Sequence, residues 1–275
     1  MSQEGIWHRL QRIDRRIIYW ILFIVLMIPF IRPLGLPVAI GPQATDLYNG
    51  LRSVKAGEVV VINISSGVSA WAECLPSLVA AVKILNQQEA KIIFWTTFVD
   101  GQLTYEAIVN RVTTLQQRTY GTDYVYLGYY AGGESGVAQL AKDMRSLFTA
   151  DYQARAIDTL PIMDNVNTAQ DVRMVLSSDT GDVADYFIRQ WRVPFGVPLA
   201  EIGIAMNFSA YQPHYQAGII FGLSNGSRGG AELEKLLGQF GDATITMDAI
   251  NSSHLFVIVA IILANLGYLA TRGKS

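Results

Sequence analysis

Ser135, then Asp179 and Asp182, then His214 follow one another in the chain order of the α/β-hydrolase triad. In that chemistry a serine attacks an acyl carbon while a histidine, oriented by an acid, carries its proton. Ser135 lies in "GYYAGGESGVAQL", between an apolar run and a helix-periodic one. The nucleophile elbow needs G-x-S-x-G, whereas this stretch reads Gly133-Glu134-Ser135-Gly136-Val137. His214 sits among aromatic residues in "YQPHYQAG", where a lone imidazole more often packs or faces water than catalyses. Ser66 and Lys83 form a second nucleophile–base candidate, a serine–lysine pair.

Other chemistries fit less well. Gly128 to Gly136 read G-x-x-x-G-G-x-x-G, which meets neither the dinucleotide fingerprint nor the P-loop, and Glu134 would repel a phosphate at the helix start. Asp179, Asp182 and Asp185 are spaced by three, but the first two suit a helix cap and a first helical turn. There is no Cys/His cluster, so no metal and no cofactor is expected. A single cysteine, Cys74, excludes an internal disulfide.

The elements that must position these residues alternate. Strand-like runs at "EVVVINI" (Glu58–Ile64), "KIIFWTT" (Lys91–Thr97), "DYVYLGYY", Asp171–Ser178 and Val197–Ala205 each precede a helix-periodic segment. Those segments are Ser69 to about Gln88, Tyr105–Arg118, Ser135–Phe148, Val183–Trp191 and Ser209–Gln216. "GGAELEKLLG" is a last helix, and Asp151–Gln170 is the least regular stretch. Continuous apolar strands between helices predict an α/β fold, a mostly parallel sheet covered by helices on both faces. The strand ends are polar: Ser65 and Ser66, Thr97, Gly132 to Ser135, and Ser178. In such a sheet they share the carboxyl edge, where ligands bind, so Ser65, Ser66, Thr97, Gly132, Gly133, Ser135 and Ser178 are candidate ligand-binding residues. Helix capping is the competing explanation for each.

Half the 275 residues are apolar and only 16% are charged, and the apolar excess sits at the ends. Ile17–Ile31 and Leu255–Ala270 are uncharged and slightly shorter than a spanning helix needs. Tyr19, Trp20, Arg32 and Tyr268 supply interfacial flanks. Arginines precede the first run, and Arg272 and Lys274 follow the second. The positive-inside rule then predicts two spans with both tails cytoplasmic and the main domain extracytoplasmic. Residues 1–40 are assigned to an interfacial helix (Ile6, Leu10, Ile13) and the first span, 41–250 to the α/β domain, and 251–275 to the second span and tail. Seven of the 21 Lys and Arg but two of the 23 Asp and Glu lie in the tails or at Arg32, leaving the middle about −7, a poor nucleic-acid partner. The second span carries small residues at Ala260, Ala264, Gly267 and Thr271, with Asn265 beside them, a pattern for close helix packing in lipid.

"YGTDYVYLGYYAGGE", "LPIMDNV", "QAGIIFGLSNGSRGGAELEKLLG" and "MDAINSSHL" resemble an uncharacterised family of membrane-anchored prokaryotic proteins with two terminal spans. The resemblance covers the chain from about Tyr120 onward and implies the two-span layout, without an activity. The sequence therefore points to a non-enzymatic, membrane-anchored α/β subunit that assembles with itself or other membrane proteins in the bilayer. The alternatives are a small-ligand-binding domain and a serine hydrolase using Ser135 and His214.

Overall fold

The computed structural model describes residues 13–272. The chain divides into two units, Val38–Ala243 and the pair Met1–Pro37 with Thr244–Ser275. In chain order the elements are α1 (Arg15–Ile31), α2 (Pro42–Arg52), β1 (Val59–Ser65), α3 (Trp71–Gln87), β2 (Lys91–Thr96), α4 (Gly101–Arg111) and β3 (Tyr124–Tyr129). They continue with α5 (Gly133–Lys142), β4 (Met174–Asp179), α6 (Val183–Phe187), β5 (Leu199–Gly203), α7 (Phe208–Gln216), β6 (Gly222–Asn225), α8 (Gly226–Leu237) and α9 (Asp242–Thr271).

The six strands form one sheet in the order β3-β2-β1-β4-β5-β6, and every neighbouring pair is parallel. This is the order of a doubly wound, Rossmann-type sheet, whose topological switch point falls between β1 and β4. The strands are continuous apolar runs because both faces are covered. Val60, Ile62 and Ile64 enter a core with Leu47 of α2, Leu78 of α3, Ile108 of α4 and Leu233 of α8. Val59 and Val61 enter the opposite core with Leu140 of α5 and with Phe187, Trp191 and Tyr211. Side chains alternate between faces along a strand, so each polar residue at a strand end is committed to one of these layers.

The expected strands and their helices are present, with shifted boundaries. The Tyr105–Arg118 helix starts at Gly101 and stops at Arg111. The Ser135–Phe148 helix ends at Lys142, where Asp143 turns extended and accepts Ser146 N at 3.1 Å to start a separate turn, Met144–Leu147. The Val183–Trp191 segment widens into a π-helix at Ile188–Arg192. Asp151–Gln170 is irregular, holding short 3₁₀ turns at Ile157–Thr159 and Pro161–Met163. Helix α2 and strand β6 are additions to the expected elements. They pack on each other at Gly222, where a Cβ would lie 2.6 Å from Leu47 Cα.

An exposed apolar helix lies near each end of the chain. Helix α1 contains the whole first apolar run, and its Trp20 and Phe30 are 66% and 58% exposed. Helix α9 contains the second run and begins well before it, at Asp242. Among the described residues, only Val68–Gln87 and Asp242–Thr271 combine spanning length with an apolar window. The first belongs to the core, being 61% buried, whereas the second is 6% buried. Within the terminal unit, the Asp248 carboxylate of α9 accepts the consecutive backbone N–H groups of Leu34, Gly35 and Leu36, each at 2.8 Å. Ile6 and Leu10 of the expected interfacial helix lie outside the described residues.

Candidate functional site

A belt of buried polar side chains crosses the carboxyl end of the sheet at the switch point. Strand register sets its members. Asn63 pairs with Ser177 and Ser177 with Glu201; further along, Ser65 pairs with Asp179, Asp179 with Gly203 and Gly203 with Asn225. Positions two apart share a face, so Asn63, Ser65, Ser177, Asp179 and Glu201 all turn toward the layer of α5, α6 and α7. Each of these five is completely buried.

Hydrogen bonds tie most of the belt together. Ser65 Oγ donates to Asn63 Oδ1 at 2.6 Å, Asn63 Nδ2 donates to Ser177 Oγ at 3.1 Å, and Ser177 Oγ donates to Asp179 Oδ2 at 3.2 Å. Because the single Ser65 proton goes to Asn63, the Thr97 hydroxyl donates to Ser65 Oγ across their 2.9 Å contact. Asp179 also accepts Gly181 N at 2.9 Å and Ala184 N at 3.0 Å, which holds the turn into α6. Burial pushes its carboxyl up to about 7, against the pull of these donors.

Glu201 is held differently. Its Oε2 accepts Asn225 Nδ2 at 3.0 Å, and the Asn207 amide stands as a second donor to the same carboxyl. A Cβ at position 203 would collide with Glu201 Oε1, so glycine there makes the room that the carboxyl occupies. Burial first, and then the charge of Asp179, raise the Glu201 carboxyl well above its usual range. On the opposite face the Cys74 thiol is pushed strongly up, by burial and then by Glu201 and Asp179, which makes it an inert thiol.

Asn225 also forms part of a cleft of about 440 Å³. Leu223 and Asn225 of β6, Ala205 and Phe208 after β5, the Gly41–Gln43 start of α2, and Arg228 and Glu232 of α8 line it. Glu232 organises this wall, accepting Gly41 N at 3.1 Å and Arg228 Nε at 2.8 Å. The cleft thus has an apolar floor and aromatic side, with a few fixed polar groups, the composition of a small-molecule site.

The expected site residues divide. Ser65 and Thr97 belong to the belt. Ser66 and Ser178 are buried near the switch point, and the Ser178 hydroxyl meets the Cys74 thiol on the opposite face from the belt. Gly132, Gly133 and Ser135 lie apart, at the end of β3. A Cβ at Gly132 would collide with the Tyr130 ring, so this glycine serves packing. The exposed Ser135 hydroxyl donates to Gly132 O at 2.7 Å. Its neighbour Glu134 accepts two bonds from Arg189, each at 2.8 Å, which hold its carboxyl down at about 2.

His214 instead faces Asp185, with Nε2 3.8 Å from Oδ1, and its ring lies 6.2 Å from that of Tyr211. Lys83 donates to Gln239 at 3.1 Å, about three turns along α3 from the Ser66 end, roughly 18 Å at about 1.5 Å per residue. The three aspartates diverge too: Asp182 accepts the Tyr186 hydroxyl at 2.7 Å and Asp185 faces His214. Among the described residues no group of three or more His, Cys, Asp or Glu could hold a metal. In the second apolar run, Gly267 is buried, Ala260 and Thr271 are half-buried, and Ala264 and Asn265 are exposed. The Asn265 amide donates to Ile261 O of its own helix at 2.9 Å.

Glu201 and Asn225 were not anticipated. The signal was a lone acid in the apolar run "VPLAEIGIA", since glutamate is almost never fully buried unless paired. Compared with known protein families and with curated proteins, the chain matches none.

Proposed function

We propose that this chain is a membrane-anchored domain that binds a small polar ligand in the cleft between the carboxyl ends of β5 and β6. The observation carrying the proposal is the position of that cleft. It opens at the carboxyl edge of the sheet, to one side of the switch point between β1 and β4, and its residue Asn225 is bonded directly to a fully buried carboxyl. Buried carboxyls with strongly displaced protonation cluster at functional sites. The exposed apolar helices α1 and α9 serve as anchors in the bilayer, with both tails cytoplasmic and the sheet domain extracytoplasmic. No catalytic step is assigned, because the nucleophile candidate Ser135 is turned to a backbone carbonyl.

The test is a thermal-shift screen of the full chain in detergent against small polar metabolites. A ligand at about a hundred times its Kd adds about 2.7 kcal/mol of stability. Ala205→Trp, an exposed lining position, places an indole in the cleft. The expected result is a stabilising compound whose effect this variant abolishes. A screen without hits, or a hit that survives the substitution, ends the reading.

An assembly role, the first expectation from the sequence, is the second reading here. It is favoured by the exposure of Ala264 and Asn265 on α9, which leaves part of that small-residue stripe open to a neighbouring helix in lipid.

A further inference from the structure

A second cavity, of about 450 Å³, lies beside β3, the edge strand at the opposite side of the sheet from β6. Its size suits a small molecule. The floor is aromatic. Tyr105 of α4 and Tyr124 of β3 are 4% and 7% exposed, and Tyr120 and Tyr152 stand beside them half-buried. The rings lock one another in place: Tyr105 meets Tyr152 edge-on at 5.5 Å, and Tyr120 meets Tyr124 edge-on at 5.4 Å. Tyr126 backs them, its ring stacked on Tyr105 at 4.7 Å. The rim is polar and exposed, made by Glu106 and Asn110 of α4 and by Gln153 and Arg155 of the irregular segment after α5.

Several of these polar groups have nothing in the protein to bond. Tyr120 donates to Asp151 Oδ2 at 2.9 Å, but among the described residues the hydroxyls of Tyr105 and Tyr124 have no hydrogen-bond partner. A buried tyrosine hydroxyl usually finds one. Burial raises both phenols, so they stay protonated as donors. Arg155 is likewise unpaired: its guanidinium lies 4.9 Å from the centre of the Tyr120 ring, and among the described residues no carboxylate forms an ion pair with it. Its loop is built to hold it there. The Asp151 carboxylate accepts Gln153 N and Arg155 N, each at 2.9 Å, and Asp151 N donates to Arg155 O at 2.9 Å. This tight turn takes Ala154 through a φ of +61°, a left-handed conformation that costs a residue with a Cβ.

We propose that this cavity binds a sugar acid, with its carboxylate on Arg155, its ring on the tyrosine floor and its hydroxyls on Glu106, Asn110 and Gln153. An unpaired guanidinium takes a carboxylate through two parallel bonds. Tyrosine rings accept the apolar C–H face of a pyranose. Amides and a carboxylate offer donors and acceptors side by side, which suits neighbouring sugar hydroxyls that each donate and accept. Glu106 accepts Gln102 Nε2 through Oε1 at 2.9 Å, leaving Oε2 for this purpose. A simple carboxylate would leave the acceptor Glu106 and the aromatic floor unused, and a neutral sugar would leave Arg155 unused. A quaternary ammonium ion, a common guest of aromatic cages, is opposed by Arg155, whose charge already lies on the Tyr120 face.

Calorimetric titration of the full chain, in a detergent without a sugar headgroup, tests this with glucuronate, galacturonate, glucose and acetate. At least one uronate is expected to bind, with glucose and acetate each weaker by about tenfold or more, glucose for want of the charge-assisted pair. Arg155→Met, at an exposed position, is expected to erase the preference for the acid over glucose, and Asn110→Ala to weaken the uronate. Ala205→Trp, in the cleft at β5 and β6, is expected to leave the uronate unaffected, which separates this site from that one. Binding of neither uronate, equal binding of uronate and acetate, a preference that survives Arg155→Met, or loss of the uronate in Ala205→Trp overturns the proposal.

Discussion

Replacing Glu201 by Gln should convert a pH-dependent stability into a pH-independent one. In the folded chain Glu201 keeps its proton well above the usual carboxylate range, through burial and the charge of Asp179. In the unfolded chain it ionises near about 4.3. Above that point the folded state holds one more proton than the unfolded state, so stability falls as pH rises, until Glu201 itself ionises in the fold. The limiting slope is about 1.4 kcal/mol per pH unit. Asp179, pushed up to about 7, acts in the same direction, but it is present in both proteins and largely cancels in their difference. The glutamine side chain keeps the shape of the acid and a carbonyl for Asn225 Nδ2, so the packing that Gly203 permits is retained. The assay is urea unfolding of the full chain in detergent at pH 5, 6 and 7, followed by tryptophan fluorescence, with the buried Trp95 and Trp191 among the reporters. The two proteins should be similar at pH 5, and the variant should gain on the wild type as the pH rises, at up to about 1.4 kcal/mol per pH unit. Parallel stability curves, or a variant weaker by a constant amount at every pH, would refute the reasoning, because either means that folded Glu201 carries no proton.

Three further outcomes are expected. Asp248→Ala should cost about 3 kcal/mol or more, since it strips the acceptor from three backbone N–H groups; Asp248→Asn, which keeps one oxygen, should cost less, and equal losses on heating would contradict this account. A cysteine at Ser275 should resist an impermeant thiol reagent in intact cells while one at Gln43 reacts, and labelling at Ser275 would reverse the proposed orientation. Gly267→Ile should break up any detergent-stable oligomer without unfolding the sheet domain; a monomeric wild type, or a variant that assembles unchanged, removes the assembly reading.

What the sequence determined by itself is the layering. Runs such as "VVVINI" and "KIIFWT" are apolar at nearly every position, which only a sheet covered on both faces requires, and their alternation with helical periods makes that sheet parallel. The apolar ends were equally legible as uncharged runs, and each lies within an exposed helix. Helix α2 and β6 were hidden. Their apolar content is low because each buries against the other at the sheet's edge, through a glycine that contributes no hydrophobic signal. The site was legible only in part. Polar strand ends marked the carboxyl edge, yet nothing local separates Thr97, which joins the belt, from Ser135, which bonds its own turn. Strand order decided that. By placing β4 beside β1 and β5 beside β4, it brought Asn63, Ser177 and Glu201 into one buried row from three segments far apart in the chain. The Glu201–Asn225 pair depends further on Gly203 leaving space between adjacent strands. Register between strands is a property of the packed sheet, set by long-range pairing, and no window of the sequence contains it.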